Sequence, residues 1–171
     1  MKNKKVLVLC EDLYEEMELW YPYYRLLEEG FEVLLVGTEK LEYQGKNGLP
    51  VKADILVEEL DPAAVDAVVI PGGYAPDKLR RYEKVLDLVR SLHERGRVVA
   101  TICHGPWVLI SAGILKNRNV TSYFAIKDDV VNAGGIYQDS PVVVDGNMIT
   151  SRKPGDLPEF LKAVIQGIRE S

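Results

Sequence analysis

The chain has 171 residues, 47% hydrophobic and 27% charged, the balance of one ordinary globular domain spanning 1–171 and large enough to bury a core without disulfides or structural metal. A formal charge of −5 argues against a nucleic-acid or acidic-membrane partner. No apolar run approaches the roughly 20 residues that cross a bilayer, and Val6–Cys10 is too short for a signal peptide, so the expected address is the cytoplasm.

Apolar runs alternate with helix-period segments. Val6–Cys10, Val33–Gly37, Ala67–Pro71 and Val98–Cys103 are short, β-branched and free of charge, which suits strands of a parallel sheet buried on both faces. Between them, Met17, Trp20, Tyr24 and Leu27 form one helical stripe, closed by Gly30. Val85, Leu88, Val89 and Leu92 form another, closed by Gly96, and Leu161, Val164, Ile165 and Ile168 a third. Each stripe is read as a core face. Near the C-terminus, Asp145-Gly146 between Val142-Val143-Val144 and Met148-Ile149-Thr150 predicts an edge hairpin with a type I′ turn. The pattern as a whole predicts an α/β fold, a three-layer α/β/α sandwich around a mostly parallel sheet.

Sites in such sheets form where strands end. In Thr101-Ile102-Cys103-His104-Gly105-Pro106 an apolar strand runs through a cysteine into a helix-starting proline, the sequence of a nucleophile elbow. A thiol at a helix N-terminus is favoured as thiolate. The His104 amide suits an oxyanion donor, although side chains at adjacent positions of a regular helix do not face each other. Ile70-Pro71-Gly72-Gly73 ends another strand in a turn whose amides can approach an anion. Of the acids in Glu11-Asp12-Leu13-Tyr14-Glu15-Glu16-Met17-Glu18, one could turn toward Cys103 as a buried acid, and the residues alone do not say which. Cys10, Cys103, His93 and His104 are the only cysteines and histidines, and their spacing suits neither a zinc site nor a papain-like pair; no histidine follows His104. His93 is expected on the surface. Asn119-Val120-Thr121 matches a glycosylation acceptor, but without an export signal it is read as ordinary surface sequence.

Four segments in the same order resemble the ThiJ/PfpI family, in its short PfpI-type branch. They are Glu15-Glu16-Met17-Glu18-Leu19, Pro71-Gly72-Gly73-Tyr74-Ala75-Pro76-Asp77, Ala100–Pro106, and Thr121-Ser122-Tyr123 with Asp128-Asp129 and Asn132-Ala133-Gly134. The resemblance implies a flavodoxin-like fold with Cys103 as nucleophile, His104 as its partner and Glu15 as the glutamate touching the thiol. It also implies that Asp77 reaches the histidine of a neighbouring subunit, that Gly72 and Gly73 with the His104 amide form the oxyanion site, and that Tyr123 lines the pocket. Family activities include glyoxalase, protein deglycase and intracellular peptidase, so the implied partners are a small carbonyl compound or a peptide, and a second copy in a dimer or hexamer. Neither cofactor nor metal is implied. A non-catalytic oxidative-stress sensor or chaperone using the same cysteine is the alternative. This sequence departs from the family pattern in having aspartate, not glutamate, at position 77, and in Trp107 and Phe124, which bear on the pocket mouth.

Overall fold

The computed structural model describes residues 4–171. In chain order the elements are β1 (Lys5–Leu9), α1 (Glu16–Glu28), β2 (Glu32–Gly37), β3 (Glu42–Gln44), β4 (Pro50–Lys52), β5 (Ile55–Leu56), β6 (Ala67–Ile70), α2 (Ala75–Leu79), α3 (Glu83–Glu94), β7 (Val98–Ile102), α4 (Pro106–Ala112), β8 (Asn119–Val120), α5 (Lys127–Asn132), β9 (Ile136–Tyr137), β10 (Val142–Asp145), β11 (Met148–Ser151) and α6 (Leu157–Glu170). Seven strands form one sheet in the order β10-β11-β7-β6-β1-β2-β5. All pairings in it are parallel except β10 with β11. The four charge-free runs are the central strands β1, β2, β6 and β7. Every residue of β6 and β7 is buried, as helices on both faces require. Helices α1 and α6 cover one face, and α2, α3 and α4 cover the other. This is the flavodoxin-like sandwich.

The stripes of α3 and α6 point inward as expected. The stripe of α1 does not. Its inward face is Glu18, Leu19, Pro22 and Leu26, while Met17 and Tyr24 are 58% and 62% exposed and Leu27 also faces out. This helix is apolar on two sides, and spacing alone does not say which side the sheet takes. A buried glutamate on the inward face made the polar side look like the outer one. The edge hairpin forms, with β11 joined to β7 and β10 outermost. Its turn lies one residue later than predicted: Asp145 pairs with Met148, and only Gly146 of Gly146-Asn147 has positive φ, the pattern of a type II′ turn. Asp145 is kept in the strand by hydrogen bonds it accepts from the Asn119 amide (2.7 Å) and Arg118 (3.1 Å). His93, expected at the surface, is half-buried, its Nε2 at 3.4 Å from the Arg118 guanidinium. A second hairpin, β3–β4, lies outside the main sheet and was not foreseen.

Leu92 is fully enclosed between α3 and the sheet. Leu92→Ala is expected to cost about 2–5 kcal/mol of stability in urea unfolding.

Candidate active site

The strand ends of β1, β6 and β7 bring three loops together. Cys103 follows β7 directly and has φ +62°, a left-handed conformation rare for a residue with a side chain. The turn is pinned on both sides: Cys103 N–H donates to the Ser151 carbonyl (3.1 Å), and its own carbonyl accepts from Tyr123 N–H (2.9 Å). Gly105 N–H donates to the Ile102 carbonyl (2.9 Å) and closes the bend before α4. A side chain at Gly105 would crowd the Ile70 and Ile102 carbonyls at 2.9 Å. The sequence therefore places small residues where β6 and β7 approach the elbow.

Because Cys103 lies off the helix, its side chain and that of its neighbour meet. His104 Nδ1 is 3.2 Å from Cys103 Sγ. This corrects the expectation from helical geometry, which applies only where both residues have helical φ and ψ. The imidazole packs against Trp107 (ring centroids 5.1 Å) and Tyr123 (5.2 Å), and Tyr123 in turn against Phe124 (4.7 Å), which is 72% exposed. Trp107 is fixed by its Nε1–H to Asp129 (2.8 Å) and by Arg80 over its ring. Of the sequence departures, Trp107 thus borders the histidine directly and Phe124 only through Tyr123.

The carboxyl group beside the thiol is Glu18, not Glu15. Glu18 is fully buried, and its Oε2 accepts the Gly72 N–H at 2.8 Å. Its other oxygen makes no hydrogen bond, and a β-carbon at Gly72 would touch both this carboxyl group and Cys103, which places the two side by side. Glu15 ends the loop before α1 and forms an ion pair with Lys46. Four residues begin or precede one helical turn here, and only the helix phase decides which acid faces the sheet. Gly72 is correspondingly engaged: its amide serves Glu18 and its carbonyl accepts from Glu15 N–H (3.2 Å). A β-carbon at Gly72 would sit 3.1 Å from Cys103 Sγ, so glycine is what lets this turn touch the thiol. The amides directed at the sulfur are those of Gly73 and His104. Gly73 has φ +74° and is bridged to Tyr14. Asp77, on α2, pairs with Arg81 within its own chain and is half-exposed, with no hydrogen bond to the His104 ring among the described residues.

Burial sets the protonation states. It pushes the Cys103 thiol up to about 12, with the Glu18 charge adding to the shift and the Gly73 and His104 amides opposing it. Burial likewise raises Glu18 to about 8, and it lowers His104, helped by the nearby Lys46. At neutral pH the resting site is a thiol, a carboxylic acid and a neutral imidazole. Burial opposes the thiolate expected at a helix terminus: Cys103 is only 8% exposed, and desolvation outweighs two amides.

Residues 4–167 match the DJ-1/PfpI family along almost the whole chain. The chain belongs to the DJ-1/PfpI family. It is 48% identical over 162 residues to a protein named Deglycase PfpI from Pyrococcus furiosus, covering 95% of this chain and 98% of that one. A protein named a deglycase from Thermococcus kodakarensis is 46% identical over 165 residues, covering 96% and 99%. Among solved structures, a two-domain protein from Anabaena variabilis with a DJ-1/ThiJ/PfpI-like and a ferritin-like domain superposes with TM-score 0.94 at 44% identity, over 96% of this chain and 48% of that one. Drosophila melanogaster DJ-1beta superposes with TM-score 0.88 at 30% identity, over 98% and 95%. No described helix is long and apolar enough to cross a membrane.

In the fold Glu18 keeps its proton to about pH 8, whereas an ordinary glutamate loses it near 4.5. The folded state therefore binds the extra proton between those values, and its contribution to stability is lost as pH rises through that window. Glu18→Gln should flatten the decline in urea-unfolding stability between about pH 5 and about pH 8.

Proposed function

We propose that this protein is a cysteine-dependent deglycase and glyoxalase acting on small dicarbonyls and their protein adducts. The observation that carries the reading is the contact of Cys103 Sγ with His104 Nδ1 at 3.2 Å on a strained elbow, beside the buried Glu18 carboxyl group. The naming of its relatives as deglycases supports it.

The chemistry starts from neutral partners. As sulfur adds to the aldehyde carbon of a 2-oxoaldehyde, the thiol proton passes to His104 Nδ1, whose low basicity at rest keeps it free to accept. The carbonyl π pair moves onto oxygen, which faces the Gly73 and His104 amides, and a proton from Glu18 or His104 completes the hemithioacetal. Moving the hydrogen of C1 to C2 oxidises the aldehyde carbon and reduces its neighbour, giving a thioester of a 2-hydroxy acid. Water then releases the acid and restores the thiol. No external oxidant or reductant enters. From an adduct, the bond between C1 and the protein's amine or thiol breaks first, the leaving group taking the proton of the C1 hydroxyl, and the aldehyde so freed enters the same sequence.

The narrow exposure of Cys103 favours small electrophiles over a peptide bond, so peptidase activity ranks second. A sensor needs the thiol but not a histidine against it, so the Cys103–His104 contact weighs against the sensor reading.

Self-association belongs to the same proposal. The outward face of α1 exposes Met17, Tyr21, Tyr24 and Leu27, with Leu49 also exposed beside it, an apolar patch of the kind that marks an interaction surface. A second copy of the chain is its proposed occupant, in a dimer or hexamer. In such an assembly the partner subunit's Asp77 would orient His104 through Nε2.

Cys103→Ala is expected to abolish methylglyoxal turnover, and His104→Ala to lower kcat/KM by roughly 10²–10⁴. Wild-type rates in the His104 variant would remove the proposed base. In sedimentation at micromolar concentration the protein should run larger than one chain, and a monomer would remove Asp77 from the mechanism.

A further inference from the structure

The turn between β3 and β4 carries a residue whose position at the site no sequence motif announced. Lys46 N–H donates to the Tyr14 carbonyl (2.9 Å), and Tyr14 is itself bridged to Gly73. The next residue, Asn47, donates to the Glu16 carboxylate from its backbone (2.6 Å) and its side chain (2.8 Å). The hairpin is thereby strapped to the segment that opens α1. From it the Lys46 ammonium reaches Glu15, whose backbone N–H bonds Gly72, the residue lying against Cys103.

Lys46 is the cation that acts on Cys103, Glu18 and His104 alike: it favours a thiolate and a carboxylate and disfavours an imidazolium. The Glu18 acid, the thiol and the imidazole are neutral at rest, so the formal charge beside the thiol is the Lys46–Glu15 pair. Of the two, the lysine is the more exposed, with 37% of its side chain accessible against 11% for the glutamate.

We propose that Lys46 is a specificity-determining residue of the Cys103 site, favouring electrophiles that carry a carboxylate over neutral ones of the same size. The inference rests on Cys103 being the reacting group of the proposed function, and it adds the substrate class: carboxylate-bearing carbonyl compounds. Glu15 offsets part of the lysine charge and so limits the preference.

Iodoacetate and iodoacetamide differ in that charge and little in size, and both report on the thiol without requiring turnover. Cys10 is fully buried, and alkylation is followed on the Cys103 peptide by mass spectrometry. The ratio of the iodoacetate to the iodoacetamide rate cancels the shared thiolate population. Lys46→Met should lower that ratio by roughly fivefold, and Lys46→Arg should restore it. Glu15→Gln should raise it, and added salt should compress all these differences. Asn47→Ala loosens the strap but keeps the charge, and should leave the ratio unchanged. A Lys46→Met ratio within twofold of the unsubstituted protein, or one matched by Asn47→Ala, would overturn the proposal and leave Lys46 as a hairpin strap. Absence of dicarbonyl turnover together with a Lys46-dependent ratio would refute the deglycase reading while leaving this one intact.

Discussion

A carboxyl group fully enclosed by the fold governs this site. Glu18 is drawn into the interior by one backbone N–H, that of Gly72, and in the low dielectric there it keeps its proton to about pH 8. That single placement fixes several others. It shares the phase of α1 that turns Leu19, Pro22 and Leu26 to the sheet and an apolar stripe outward. It takes up the Gly72 amide, leaving the amides of Gly73 and His104 to face sulfur. It also surrounds Cys103 with a neutral acid in place of a repelling anion.

The elbow supplies the complementary constraint. Holding a non-glycine residue at φ +62° costs on the order of 1–2 kcal/mol, and the Ser151 and Tyr123 backbone bonds hold it there. In return Cys103 leaves the helical register and its thiol meets the adjacent imidazole, which two neighbours on a helix cannot do. Strain and burial therefore act on the same atom in different ways: one aims it, the other keeps it protonated until a carbonyl arrives to share the charge.

Much of this was legible in the chain. Charge-free β-branched runs can be stable only inside a sheet covered on both faces, so the four central strands and the sandwich followed directly. The Gly-Pro after Cys103 and the paired glycines after Ile70 marked the two strand ends that meet, because chain geometry at a sharp turn admits few residues. The stripes of α3 and α6 were read correctly since each has one apolar side. The reading of α1 failed because it has two, and the turn at Asp145 slipped by one residue because two side-chain acceptor contacts from Asn119 and Arg118 anchor that aspartate in the strand.

Residue types and their order determined the architecture, the cysteine and its histidine, since these depend on local geometry and on burial that hydrophobic pattern records. Only the tertiary structure decided which glutamate meets the thiol, that burial disfavours the thiolate, and that a lysine from a distant hairpin pairs with Glu15 near it. Those depend on helix phase, on desolvation and on approach through space between segments some 30 to 85 positions apart, quantities that no spacing along the chain encodes.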